Sequence, residues 1–253
     1  MKRISYFLAF IVLLSSCSKD KEPITKEAQC KVSSMDDLVY SYNDKGELVK
    51  LENGLYKKEL AYTGNKIDIV YTAKVAPTVT RPYGTVTLDD KGRLGRFVND
   101  QQIFDAKYDA SGYLTEVKLS DIITGNAVQT STLSYQDGNL VKIVSISANG
   151  TITQKNIAYS ATLNQATNGW YADFPLAEVF QLRCPELIGL CGKRSRNLLR
   201  EINTSFSNDA SLNEKDVWSF VWNNNGNITS ASFQFSSKSM NTSDTFRFGY
   251  QCN

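Results

Sequence analysis

One phrase recurs along this chain and restricts its fold more than any other feature: an aromatic or apolar strand, a polar turn closed by glycine, then a strand restarting at Leu or Ile. Copies run over 40–48, 62–67, 88–94, 108–114, 135–140 and 222–228, and Tyr108-Asp109-Ala110-Ser111-Gly112-Tyr113-Leu114 shows the form. Asp or Asn opens such a turn by accepting hydrogen bonds from nearby backbone, and glycine takes the positive φ that reverses two strands with the right twist. Flanking residues alternate polar and apolar, as in Leu114-Thr115-Glu116-Val117-Lys118-Leu119, the period of a strand with two different faces. These signals predict an all-β fold, an antiparallel hairpin meander forming a curved sheet, half-barrel or barrel. The glycine spacing is uneven, which suits a meander with insertions better than a strict solenoid. Strands of about five to eight residues are expected, shorter than the ~9–11 of an outer-membrane barrel strand, which argues for a sheet or partial barrel standing in water.

One segment departs from the pattern. Asp173 can cap a helix with Pro175 in its first turn, and Leu176, Val179 and Phe180 follow at helical spacing before Pro185. One or two short helices are therefore expected across the sheet near 174–199. The second half, Gly192-Lys193-Arg194-Ser195-Arg196-Asn197-Leu198-Leu199, holds a dense basic cluster. It reads as a solvated loop, with an anion-binding patch as the alternative.

At the chain's start, Lys2 and Arg3 precede an apolar run from Tyr6 to Leu14, which ends in Leu14-Ser15-Ser16-Cys17. A basic start and a run too short for a comfortable membrane span describe an export signal. The cysteine after small residues resembles the lipobox of bacterial lipoproteins, which implies lipidation of Cys17. Residues 1–16 are then a lipoprotein signal peptide, 17–32 the lipidated cysteine and a flexible tether, and 33–253 a single β-meander domain. The tether reading rests on Ser18-Lys19-Asp20-Lys21-Glu22-Pro23, which is charged and has no apolar period. This predicts an outer-membrane lipoprotein of the cell envelope, facing the periplasm or the exterior, with the membrane as partner through its anchor. Loss of Lys2 and Arg3 from 28 basic residues leaves 26 against 26 acidic ones, so a basic groove tracking nucleic acid is not expected.

Besides Cys17, four cysteines form an even set in an oxidising compartment, Cys30, Cys184, Cys191 and Cys252. Three pairings are possible. The preferred one joins Cys184 to Cys191 and Cys30 to Cys252, the latter clipping the ends of the domain; four buried thiols are the alternative.

The lipobox, the Tyr-containing turns, the Gly192-Lys193-Arg194-Ser195-Arg196-Asn197-Leu198 segment and the Trp222-Asn223-Asn224-Asn225-Gly226-Asn227-Ile228 hairpin resemble Bacteroidota lipoproteins that carry a domain of unknown function described as porin-like in fold. The resemblance covers roughly 33–253. It implies a sheet curved into a barrel or half-barrel, and brings no catalytic residues or cofactor.

The chain contains no histidine, so the commonest general base, the usual triads and most zinc or copper sites are absent. A carboxylate pair for glycoside hydrolysis survives in principle, with Asp36-Asp37, Asp89-Asp90, Asp173 and Glu178 as the acids. Oxygen-rich turns at Asn43-Asp44, Asn99-Asp100 and 223–225 have the chemistry for calcium but not its loop spacing. No cofactor or metal and no enzyme activity are expected.

Aromatic residues carry the remaining signal. Trp218, Phe220 and Trp222, then Phe233 and Phe235, then Phe246, Phe248 and Tyr250 each recur at the strand period and point one way. Eight rings on one face would present well over ~1000 Å², more than a monomer leaves uncovered. The cover is the protein's own core, an apolar ligand or lipid tail, or sugars stacked on rim rings. Trp170, Tyr171, Trp218 and Trp222 are the ligand-facing candidates. The expected role is a non-catalytic binding or scaffold module for a glycan or another envelope protein, with a lipid carrier as the alternative and a glycoside hydrolase below it.

Overall fold

The computed structural model describes residues 30–164, 174–179, 189–224 and 227–252. Sixteen antiparallel strands close into one barrel. The first eight are β1 Cys30–Met35, β2 Leu38–Tyr42, β3 Leu48–Glu52, β4 Tyr56–Thr63, β5 Lys66–Ala73, β6 Val79–Leu88, β7 Leu94–Asn99 and β8 Gln102–Tyr108. The others are β9 Leu114–Asp121, β10 Ala127–Gln136, β11 Asn139–Ser147, β12 Ile152–Leu163, β13 Asn197–Phe206, β14 Glu214–Trp222, β15 Ile228–Ser237 and β16 Asn241–Cys252. Each strand pairs with its neighbours in sequence, and β16 returns to β1. Closure therefore leaves no edge strand to template aggregation.

The expectation of short strands is overturned, since β12 and β16 each run 12 residues. The alternation signal fades where both faces carry Ser, Thr and Asn, as in β12, so the sequence understates how far the ladder extends. The short helix expected near 174–199 is present. Helix α1, Phe174–Val179, is a single short turn-and-a-half, and 191–196 is irregular chain leading into β13. Gly192 and Ser195 break any helical run there.

Antiparallel order sorts every connection to one of two ends. The chain enters at Cys30 and leaves at Cys252 on the same end, where Cys30, which is disulfide-bonded, faces Cys252 in the register. Directly opposed residues on antiparallel strands lie within disulfide reach. All six copies of the turn phrase map to this near end, together with the long 164–196 connection and α1.

In four of those turns the same bonds recur. Asn43, Asp89, Asp109 and Asn223 each accept, through Oδ1, the N–H of the residue four later. In three of them a glycine at positive φ closes the turn, Gly46, Gly92 and Gly112, with φ +73° at Gly92. The Leu or Ile that follows is sealed inward: Ile67, Leu94 and Ile228 are all at 0 % exposure.

Tyrosine hydroxyls lock this ring of apolar residues. Tyr62 donates to the Leu48 carbonyl at 3.0 Å, Tyr108 to Leu94 at 2.8 Å and Tyr250 to Ile228 at 2.7 Å. Tyr62 and Tyr108, each opening a phrase, thus cap the leucine that closed the phrase before, and Tyr250 of the last strand caps Ile228. Buried hydroxyls and carbonyls need such partners, and pairing them fixes strand register.

Inward side chains from walls all round the barrel, with Leu176 and Val179 of α1, form one continuous apolar cluster. Phe97 faces Phe104, and Phe104 faces Leu119, along one inward row. The next row points outward and is charged: Arg96 faces Asp105, which faces Lys118. The lumen is therefore the hydrophobic core, and the outside of the barrel is the polar surface.

Candidate functional site

Three places compete for function: the aromatic wall, the basic segment at the near end, and the far end. Along the wall, Trp218 stacks on Phe233 at 5.3 Å and Phe233 on Phe246 at 6.0 Å. Register carries the inward face from Trp218 to Phe233 and from Ala231 to Phe246, so the rings line the inside. Phe174 of α1 covers Trp218 at 4.9 Å, leaving it 4 % exposed. Trp222, by contrast, is 42 % exposed beside the near-end turn, 6.3 Å from Phe220. Trp170 and Tyr171 lie outside the described residues, as do Cys184, Asp173 and the side chain of Glu178.

The basic segment is not simply a solvated loop. Lys193 N–H donates to the Gly112 carbonyl and Arg196 N–H to Gly138, both at 2.9 Å. The buried Ser195 hydroxyl meets Tyr159 OH at 2.9 Å and accepts from Leu140 N–H at 3.2 Å. Asn139 and Asn197 exchange two further bonds. The segment is sewn onto two hairpin turns, and its sequence hid this because the partners are 55 or more residues away.

A cleft of about 360 Å³ lies beside it, between Lys91–Arg93, Ala110–Gly112 and Gly189–Lys193. Its cations are engaged locally. Arg93 pairs with Asp89 at 2.6 Å and stacks 4.0 Å above the Tyr108 ring, while Lys193 lies 5.3 Å over Tyr113. Burial raises the Tyr108 hydroxyl far above its ordinary range, with the neighbouring Cys191 adding to the effect. Tyr108 is thus a neutral donor to Leu94, unsuited to act as a base.

Among the described residues, the acidic candidates are not brought together. Asp89 and Asp90 sit at the near end, and Asp36 and Asp37 in the β1–β2 turn at the far end. Asp36 accepts from Arg247 N–H at 2.9 Å, and Asp89 holds its own turn and Arg93. Asn99 likewise spends its side-chain oxygen on Gln101 and Gln102 N–H. Among the described residues, no three Asp, Glu or Cys side chains cluster as a cation site would require.

Toward the far end the interior admits polar groups. Ser131 pairs with Ser145 at 2.7 Å and accepts from Gln129 at 3.1 Å. Lys58, 5 % exposed, places its ammonium 4.8 Å over the Tyr83 ring and 5.7 Å over Tyr56, a cation–π arrangement that eases its burial. Sequence reading passed over Lys58 because its alternation matches any strand lysine.

On the outside of this end, a concavity of about 390 Å³ opens where β13 and β14 part. Asn156, Asn203, Lys215 and Ser236 form one outward register row across it, with Asn213 and Glu214 at its edge. Lys215 reaches Glu201 at 2.9 Å, and Glu201, also bonded to Asn203, is held below the usual carboxylate range by both. The lining is amide, hydroxyl and a charged pair, a set that donates and accepts hydrogen bonds in several directions.

The whole outer face continues this chemistry. Lys50 lies opposite Glu59 and Glu52 opposite Lys57, and Lys107 pairs with Glu116 at 2.7 Å. A barrel that spans a bilayer needs an outward apolar band, and each charge at its midplane costs ~2–4 kcal/mol. This outer wall cannot face hydrocarbon.

No family model and no curated protein matches the chain. Solved structures do. A porin-like protein from Bacteroides uniformis superposes with a TM-score of 0.55 at 16% identity, covering 85% of this chain and 90% of that one. A porin-like protein from Bacteroides vulgatus gives 0.51 at 12% identity, covering 87% and 99%. The shared feature is the porin-like all-β fold.

Proposed function

We propose that the protein is a cell-envelope lipoprotein, held by lipid on Cys17, whose barrel stands in water as a non-catalytic binding module and conducts nothing. One observation carries this reading: the polarity of the barrel is the reverse of a membrane pore's, with an apolar cluster inside and ion pairs outside. Porins of 16–18 strands keep an aqueous channel because their interiors are polar and their outer bands apolar. Likeness to porin-like proteins of two Bacteroides species supports an envelope setting.

The ligand class best suited to the outer concavity is a saccharide. Asn156, Asn203, Ser236, Glu214 and Lys215 supply the directional hydrogen bonds that hydroxyl groups use. The decisive experiment compares full-length wild type with Cys17→Ser. Wild type is expected to fractionate with membranes and incorporate a fatty-acid label, and Cys17→Ser to be released as a folded, soluble barrel. A Cys17→Ser protein that still needs detergent would overturn the water-standing barrel. For the ligand, calorimetric titration with a glycan panel is expected to give heat that Asn203→Ala abolishes.

A further inference from the structure

We infer that the far end of the barrel is a docking rim for a partner protein that presents an apolar surface bordered by basic residues. The inference rests on the anchored-module reading above and names its partner class. Among the described residues, ten of the thirteen exposed large apolar side chains lie within two positions of the far-end turns. Leu55 and Val75 sit on adjoining turns, joined by Lys74 N–H to the Leu55 carbonyl at 2.8 Å. Ile146 faces Ile152 across β11 and β12, and Ile123, at the tip of its turn, is 90 % exposed.

Such placement is not what folding requires. These turns are built by Asn53, Asn99 and Asp121, whose side-chain oxygens hold the turn N–H groups, and a polar residue at 55 or 123 would serve them equally well. Monomers rarely expose a contiguous apolar patch above a few hundred Å². The ten side chains are distributed over seven of the eight far-end turns and together present on the order of 800 Å², what each partner contributes to a standard interface.

Charge narrows the occupant. Lys74 shares Glu52 with Lys50 and Arg81 is paired with Asp100 at 3.1 Å, so Lys238 and one lysine charge of the Glu52 cluster stand against Asp36, Asp37, Asp121 and Asp209 on the described far-end turns. An acidic border repels an anionic lipid surface, and the exposed apolar side chains of the described rim are Val, Leu, Ile and Met, without the Trp of an interfacial anchor. Rim against rim in a second copy would set the same carboxylates against each other. It would also aim the two chain entries at Cys30 in opposite directions. A basic, apolar protein surface meets neither objection.

Site-specific photo-cross-linking in the cells that make the protein tests this. A benzophenone side chain replaces Ile123 or Leu212 at the far end, and Lys45 or Ser111 at the near end as controls. The expected result is one protein adduct, from far-end positions alone. The purified partner should bind the full-length protein in a salt-sensitive manner, and weaken by about tenfold or more in Ile123→Ser with Ile152→Ser, the scale of a lost hot spot. Asp37→Lys should weaken it again. Adducts only to a second copy or to lipid, no far-end adduct, or unchanged affinity in these variants would overturn the rim. Thermal melts of the variants report folding, and membrane fractionation of Cys17→Ser reports the anchored reading separately.

Discussion

The two ends of the barrel are made by the same kind of hairpin yet spend their apolar residues in opposite ways. At the near end, the Leu or Ile after a turn packs into the core, and Leu48, Leu94 and Ile228 are each capped by a tyrosine hydroxyl. At the far end, Leu55, Ile123 and Met240 stand out at 60 %, 90 % and 54 % exposure. The difference teaches that closure and exposure are separate properties of a turn. At the near end the Leu or Ile that restarts a strand joins the core, whereas at the far end the apolar residues at turn tips and strand starts, such as Ile123 and Ile152, stay exposed.

The sharpest test of that contrast is truncation at each end. Leu94→Ala removes a fully buried side chain and is expected to cost about 2–5 kcal/mol in chemical denaturation, the range for core leucines. Leu55→Ala at the far end is expected to stay within about 0.5 kcal/mol of wild type, as exposed substitutions do. Equal losses would mean that the far rim is part of the fold's own stability and not a surface held in reserve.

Next in size is the tyrosine cap. Tyr108→Phe keeps the ring over which Arg93 lies and deletes the bond to the Leu94 carbonyl. A loss of about 1–2 kcal/mol is expected, because a buried carbonyl is left without its donor. A neutral result would show that the ring alone seals the near end.

The smallest effect concerns pH. Side-chain bonds from Lys50 and Lys74 hold the Glu52 carboxyl down to about 2 from an ordinary 4.5. The folded form thus binds its proton less readily than the unfolded chain. The contribution is fully present above 4.5 and is lost as pH falls toward 2. NMR titration of the Glu52 carboxyl is expected to show its midpoint well below that of a free glutamate; a midpoint near 4.5 would dissolve this outer-face network. As the group is solvent-exposed, its effect on stability is minor.

Much of the near end was legible in the sequence, because its chemistry is local. Asp109 to Gly112 build their turn within four residues, and Asn223 does the same for its own. Alternation in 115–119 placed Val117 and Leu119 on a buried face, whereas Leu114 joins it only through the register shift opposite Tyr108. The strand-period pattern put Trp218, Phe233 and Phe246 on one face, but left open what covers them and did not set apart the exposed Trp222. What lay hidden depends on partners far away in the chain. Nothing in Gly192-Lys193-Arg194-Ser195 announces bonds to turns at 112 and 138, and nothing in Ile123 reveals that its turn shares an end with Leu55 and Met240.

The residues alone determined that this chain is a string of antiparallel hairpins with two-faced strands, since turn geometry and the period of two are properties of a few neighbouring residues. Only tertiary structure decided that β16 would meet β1, that the apolar face would become the inside, and that turns scattered from 53 to 240 would gather into one rim. The physical reason is that strand pairing is local from one hairpin to the next, whereas the curvature that closes sixteen of them, and the choice of which face to hide from water, are settled by the whole sheet at once.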